Sequence, residues 1–323
     1  MGDVKKLKIL FAPLEGMTDG IFRRAHHDFF GGVEEYAIPF IRLTGDMALT
    51  GGERREISPD ENAGIPCVPQ VLTKDADQLL WAAGMLRDLG WGAMDLNLGC
   101  PAPTVVTRGR GSAMLRDPAA LRRFFDRVFP SCPIPLSVKT RIGFSSPDEW
   151  EKILDALADY PLSRVVIHPR TREEQYTGPL HPEAFAAAFE RLGTRAVWNG
   201  EIKTPADADR IARLFPGTDT VMIGRGLIRD PSLARRISGG KAADTEEMKA
   251  FFGRLFKDYL ERFGLPVALG RMKKLFLLLS EGMPEGKKKY KDIKKASAAD
   301  RYLAASEKLL DLWRPADGND SII

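Results

Sequence analysis

The chain has 323 residues, 28% of them charged and 44% hydrophobic, with a formal net charge of +4. That composition is ordinary for a globular protein and excludes disordered and collagen-like chains. Its three cysteines, Cys67, Cys100 and Cys132, are too few and too scattered for a disulfide framework or a zinc cluster; they fit a reduced, cytoplasmic compartment. No apolar run approaches the roughly 18 residues of a membrane span, and the charges of residues 1–8 are not followed by a signal-peptide apolar stretch.

In chain order, short β-type runs are predicted at 8–13, 35–39, 67–72, 93–97, 135–140, 164–168, 195–199 and 219–224. Most are apolar and β-branched, as strands buried on both faces are. Between them lie amphipathic segments at 19–30, 75–89, 118–129, 147–159, 182–192 and 205–215. Asp117-Pro118, Ser146-Pro147 and Thr204-Pro205 each place a capping side chain before a proline suited to the first helical position. Strands alternating with helices predict an α/β fold, a parallel (β/α)8 barrel. A doubly wound open sheet is the alternative, but no G-x-G-x-x-G follows the first run. From about Asp244 the β-type runs stop, and 246–262, 269–280 and 298–313 read as helices. The expected organisation is a barrel over 1–240 followed by a smaller all-helical domain over 241–323.

A barrel should carry its functional groups at the C-terminal ends of its strands. The sequence obliges with Ala12, Pro13 and Leu14, then Gln70, Asn97, Lys139 with Arg141, His168 with Arg170, Asn199-Gly200-Glu201, and Gly224-Arg225. Each alone has a plain reading: a strand lysine usually snorkels, a lone histidine usually sits satisfied in a core, Asn-Gly is usually a turn. Their convergence on one rim is what carries weight. The loops after the last two strands of such barrels often hold a phosphate, and the glycines and Arg225 suit one. The segment 98–116 is long for a connection and therefore a candidate functional loop. Cys100 stands at its root, beside the rim asparagine.

Charge adds a second region. Residues 1–240 hold 31 basic and 31 acidic side chains, while 241–323 hold 17 and 13; within 264–301 the balance is 10 to 4. A solvated helical surface and a footprint for a polyanion are both compatible with that excess.

The rim residues also lie in motifs of a known family. Ala-Pro-Leu-Glu-Gly-Met-Thr-Asp at 12–19, Asp-Leu-Asn-Leu-Gly-Cys-Pro at 95–101 and Gly-Arg-Gly-Ser-Ala-Met-Leu at 109–115 are followed by Ser-Val-Lys-Thr-Arg-Ile-Gly at 137–143. His-Pro-Arg-Thr at 168–171, Tyr-Thr-Gly at 176–178, Asn-Gly-Glu-Ile at 199–202 and Met-Ile-Gly-Arg-Gly at 222–226 complete the set. In this order and spacing the chain resembles the tRNA-dihydrouridine synthases, and its variants look closest to the bacterial subgroup that acts at position 16 of tRNA. The match departs at Pro169, where the family usually has glycine, and at Ser112, where it usually has alanine.

The resemblance implies FMN at the barrel mouth, NADPH as its reductant, and reduction of a tRNA uridine by hydride at C6 and a proton at C5. Ala12, Pro13, Leu14, Gln70, Lys139, His168, Asn199, Gly200, Glu201, Gly224 and Arg225 would bind the flavin. Asn97, Arg141 and Arg170 would face the uracil. Cys100 would be the general acid, a role that suits a thiol with an ordinary pKa of about 8.5, still protonated near neutrality. Lys287, Lys288 and Lys289 would contact tRNA phosphates. No metal and no membrane are expected, and the chain is expected to act as a monomer. An FMN barrel reducing a small pyrimidine is the alternative; it shares the rim but leaves the basic helices without a purpose. A non-redox barrel using Lys139 as a Schiff-base lysine is a third reading.

Overall fold

The structure is a computed structural model and describes residues 7–43 and 47–316. The reading of the N-terminus at residues 1–6 lies outside them. Eight strands form a closed, all-parallel barrel in sequence order: β1 (Lys8–Phe11), β2 (Glu35–Arg42), β3 (Cys67–Leu72), β4 (Met94–Leu98), β5 (Leu136–Gly143), β6 (Val165–Thr171), β7 (Ala196–Asn199) and β8 (Thr220–Ile223). β1 pairs with both β2 and β8, which closes the ring. The eight predicted runs are these strands. β2, β5 and β6 continue several residues beyond their predicted ends, so Arg141 and Arg170 lie within strands.

The helices of the barrel region are α1 (Gly20–Phe29), α2 (Gly51–Glu56), α3 (Ala76–Asp88), α4 (Pro103–Val106), α5 (Pro118–Val128), α6 (Trp150–Ala158), α7 (Pro182–Leu192), α8 (Pro205–Leu214), α9 (Arg225–Arg229) and α10 (Leu233–Ile237). The predicted caps form. Asp117 accepts the Ala120 N–H at 2.9 Å, and Thr204 with Asp207 makes a reciprocal capping box. Ser146 and Glu149 make another, but 147–149 winds as a 3-10 turn before α6 begins at Trp150.

Side-chain alternation sorts the barrel into two cores. Leu10, Ala12, Ala37, Val68, Val166, Val197 and Met222 pack together inside the barrel. The opposite parity, including Ile9, Phe11, Leu96, Val138, Val165, Ile167, Trp198 and Val221, packs against the helices. Period-2 geometry forces this split. It also places every polar rim group: Gln70, Asn97, Lys139, Arg141, His168, Arg170 and Asn199 all continue the inward parity.

After the barrel come α11 (Thr245–Phe263), α12 (Leu265–Glu281), α13 (Gly286–Lys295) and α14 (Ala299–Leu310). Gly264, at φ +76°, breaks α11 from α12 in a conformation other residues seldom adopt. The helices are not a loosely attached body, because one apolar core runs through them and the outer layer of the barrel. Phe251 of α11 anchors it, with ring centroids 5.8 Å from Phe22 and Phe29 and 5.0 Å from Phe30. Asp19, the N-cap of α1, accepts hydrogen bonds from the Phe22 amide at 3.1 Å, the Tyr259 hydroxyl at 2.8 Å and Arg271. The sequence pattern does not predict α13. Most of its residues are lysine, and only Ile293 among its apolar side chains is fully buried, so it carries too little apolar pattern to be seen.

Among the described residues no helix is long and apolar enough to cross a membrane, and no cluster of His, Cys, Asp and Glu is arranged to hold a metal.

Candidate active site at the barrel mouth

An open cavity lies at the C-terminal mouth of the barrel. Its wall is built from the ends of β1, β2, β4, β5, β6, β7 and β8 and from loops that follow them. Of the residues predicted for the site, Ala12, Pro13, Leu14, Asn97, Cys100, Lys139, Arg141, His168, Asn199, Gly200, Glu201, Gly224 and Arg225 line it. Gln70 and Arg170 do not. Gln70 is fully buried below the floor, with both ends of its amide engaged by Asp95 and Asn97. Arg170 is buried behind the wall, where it donates to Gly178 O at 2.6 Å and Glu201 at 2.9 Å. In this structure both support residues that do reach the cavity: Gln70 holds Asn97, and Arg170 holds Glu201.

The Cys100 peptide is held from both sides. Its N–H donates to Asn97 Oδ1 at 2.9 Å. Its carbonyl accepts the Ser112 N–H at 3.2 Å and the Ser112 hydroxyl at 2.9 Å. An alanine at 112 would lack the second bond. Gly111, at φ +59°, passes so close that an added Cβ would lie 3.0 Å from Cys100 O. The segment 98–116 is thus not an open loop. It folds as α4 and a 3-10 turn (Gly111–Arg116), and it buries Val105, Val106, Ala113 and Leu115. Arg116 lies 3.7 Å over the Phe144 ring, which pins the segment to the loop after β5.

Electrostatics at the mouth follow from burial. Burial raises the Cys100 thiol above its usual pKa; the Ala102 N–H opposes this and Glu15 adds to it. The thiol is therefore protonated at neutral pH. Lys139 is half-buried and opens on the cavity, and it makes no hydrogen bond or ion pair among the described residues. Burial and then the Arg141 charge lower its pKa to about 8, with Asp95 partly restoring it. Burial, Arg141 and Lys139 push His168 well below its usual value, so its imidazole is neutral. Arg170 Nη1, which can only donate, lies 3.3 Å from His168 Nε2, which assigns the ring proton to Nδ1.

Glu201 is the hub of the wall formed by the loops after β7 and β8. It sits at φ +44° and pairs with Arg170 at 2.9 Å, Arg225 at 2.7 Å and Lys203 at 3.0 Å. Burial alone would raise its pKa, but the hydrogen bonds from Arg170 and Lys203 and the Arg225 charge hold it down to about 2. Arg141 turns Nε and Nη1 to backbone carbonyls, reaching Gly99 O at 3.0 Å and Thr171 O and Gln175 O at 2.8 Å.

Several site residues escaped the sequence reading. Tyr176 is 47% exposed at the mouth, with Arg141 and Arg225 at 5.2 and 4.8 Å from its ring centroid. Glu15, Lys203 and Arg229 also line the cavity. Asp95 and Ser137 lie beneath it, and alternation from Asn97 and Lys139 would have pointed to both.

The predicted lysines 287, 288 and 289 fall on α13, away from the cavity lining. With Lys291, Lys294 and Lys295 they form no ion pair among the described residues. Two other members of the basic stretch are already committed: Arg271 to Asp19, and Lys273 to Ala296 O at 2.6 Å. Lys274 reaches the barrel, its Nζ lying 3.1 Å from where a Cβ on Gly16 would stand.

A family model described as dihydrouridine synthase matches residues 10–310. The chain belongs to the dihydrouridine synthase family. It is an oxidoreductase whose reaction saturates the C5=C6 bond of uridine. Among similar dihydrouridine synthases, the tRNA-dihydrouridine(16) synthase of Pseudomonas syringae pv. tomato is 31% identical over 91% of this chain and 96% of its own length. That of Ralstonia nicotianae is 31% identical over 94% and 96%. The probable tRNA-dihydrouridine synthase of Rhodobacter capsulatus is 32% identical over 78% and 77%. Morphinone reductase shares the barrel fold, with a TM-score of 0.50 at 13% identity over 74% of this chain and 87% of its own.

Proposed function

We propose that this enzyme reduces a uridine of tRNA, the one at position 16, to 5,6-dihydrouridine, with FMN at the barrel mouth and NADPH as reductant. The observation that carries the reading is the pair formed by a protonated, half-buried Cys100 thiol and a half-buried Lys139 ammonium with no partner among the described residues, both facing one cavity.

The residues present suit a flavin phosphate. Gly200 and Gly224 leave the wall bare where a side chain would intrude: an added Cβ would lie 3.2 Å from Leu180 and 3.4 Å from Ala12, respectively. Lys203 and Arg225 carry charge there beyond what the single Glu201 carboxylate neutralises. Ala12, Pro13 and Leu14 offer an apolar edge to the ring, and Lys139 a cation that favours an anionic reduced isoalloxazine. When bound, reduced FMN supplies the hydride for uracil C6.

Cys100 holds the proton that C5 then needs, and burial keeps it on sulfur until base and thiol meet. This is the opposite requirement to that of a nucleophilic cysteine, whose pKa must be lowered. Asn97 and Arg141 line the same cavity as the thiol and Lys139 and would meet the polar edge of uracil. The base must leave its stack to enter. The helices of residues 241–323 form the tRNA-binding domain, in which α13 meets phosphates.

The test is direct. Unmodified tRNA transcript, FMN-loaded protein and NADPH should yield dihydrouridine mapped to position 16, while free uridine and uracil should not react. Reaction of the free pyrimidines with no product in tRNA overturns the substrate assignment. A colourless protein that binds no FMN overturns the cofactor.

A further inference from the structure

The lower half of the barrel interior is filled with small apolar side chains such as Val68, Val166 and Val197. Two residues further along β3 and β4 the interior becomes polar and stays buried: Asp95 is 4% exposed and Gln70 0%. A chain of hydrogen bonds rises from there. Asp95 Oδ1 accepts the Ser137 hydroxyl at 2.6 Å, and Oδ2 accepts Gln70 Nε2–H at 2.7 Å. Gln70 Oε1 accepts Asn97 Nδ2–H at 2.8 Å. Asn97 Oδ1 accepts the amides of Gly99 at 3.2 Å and Cys100 at 2.9 Å.

The direction of every link is forced from the two ends. Backbone N–H groups only donate, so Asn97 must turn its oxygen to them and its NH2 to Gln70. Gln70 must then turn its oxygen to Asn97 and its NH2 downward, where only an acceptor completes the series. An ionised carboxylate is acceptor-only. Burial raises the Asp95 pKa to about 6 against the hydrogen bonds of Ser137 and Gln70, so it is ionised at neutral pH and at a cost. The valine layer below shows what would fill the same space without that cost, and a buried charge is weak evidence for stability in its own right.

We propose that Asp95 is a positioning residue for Cys100: from beneath the floor it sets the polarity of the Asp95–Gln70–Asn97 relay, which holds the Cys100 amide and aims the thiol into the cavity. The inference rests on Cys100 being the proton donor. Removing Asp95 leaves the buried Gln70 Nε2–H without its acceptor, so Gln70 no longer braces Asn97 and the hold of Asn97 on the Cys100 N–H loosens.

The experiment compares Asp95→Val, Asp95→Asn and Ser137→Ala in the FMN-loaded enzyme, with Asp95→Ala made as well in case valine prevents folding. Asp95→Val should keep the flavin spectrum and its rate of reduction by NADPH, yet lose dihydrouridine formation by about tenfold in kcat rather than KM. Its Cys100 should change in iodoacetamide reactivity by roughly threefold while Cys67 and Cys132 do not, as read by peptide mass spectrometry. Asp95→Asn should restore both, because its oxygen can face Gln70 while its NH2 faces the Ser137 hydroxyl. Ser137→Ala touches Asp95 but leaves the relay whole, so it should behave as wild type.

Unchanged product formation and Cys100 reactivity in Asp95→Val overturn the proposal. So does a fall in flavin reduction by the same factor as product formation, or a Ser137→Ala as impaired as Asp95→Val. Cys100→Ala run alongside separates the two readings. If that variant still makes dihydrouridine, the proton-donor assignment fails. If it is inactive beside an unaffected Asp95→Val, only the relay fails.

Discussion

Two regions of this molecule are rich in cations, and they are built in opposite ways. At the barrel mouth the cations are partly or wholly buried and directed: Arg141 holds three carbonyls, and Arg170, Arg225 and Lys203 share the Glu201 carboxylate. On α13 the lysines are mostly exposed, and no acidic partner is engaged among the described residues. The contrast teaches that net charge alone reads neither region. The mouth works by geometry, with charges fixed before a ligand arrives. In the proposed reading the helix would work by field, with charges free to follow a phosphate chain. Local substitutions should therefore act on chemistry at the mouth and on salt-dependent affinity at α13.

The largest expected effect tests the mouth. Cys100→Ala should lower dihydrouridine formation by about 10²–10⁴-fold while reduction of the flavin by NADPH continues, measured by product assay beside absorbance. Next comes the joint that keeps the two regions in register. Phe251→Ala should cost about 3–5 kcal/mol of stability, measured by denaturant unfolding. Its tRNA affinity should fall before its flavin affinity does, because the helices lose their seat first.

Replacing Lys287, Lys288, Lys289, Lys291, Lys294 and Lys295 by glutamine should weaken tRNA binding. It should also flatten the dependence of affinity on log salt, by about one unit for each phosphate that is no longer neutralised. Flavin binding should not change. A tRNA affinity and salt slope equal to wild type would make α13 plain solvated surface and erase the comparison.

A pH profile sharpens the mouth further. In the proposed role Lys139 would act in its protonated form, so its contribution would be present below about pH 8 and lost above it. Product formation should show an alkaline limb there, which Lys139→Arg should move upward because arginine keeps its proton. The smallest effect should be that of Ser112→Ala, which removes one of two hydrogen bonds to the Cys100 carbonyl. About 1 kcal/mol of stability is expected to go with it, along with a small drop in product rate.

The sequence by itself determined the barrel and its rim. Eight apolar runs spaced by capped helices allow few arrangements, and alternation along β3 to β7 commits Gln70, Asn97, Lys139, His168 and Asn199 to the interior before any contact is known. The motifs around Cys100 and Asn199 named the family for the same reason: they are local in sequence.

Tertiary structure decided what depends on partners brought from elsewhere in the chain. That Arg170 stands behind the wall follows from Gly178 and Glu201, and that Arg271 is not free follows from Asp19, 252 residues away. α13 could be recognised only once Ile293 and Gly286 were seen to dock, because a helix so rich in lysine carries almost no apolar period. Asp95 could be given a task only when Gln70 and Asn97 were seen to stand end to end above it. Hydrogen-bond direction is a property of neighbours in space, and no spacing along the chain encodes it.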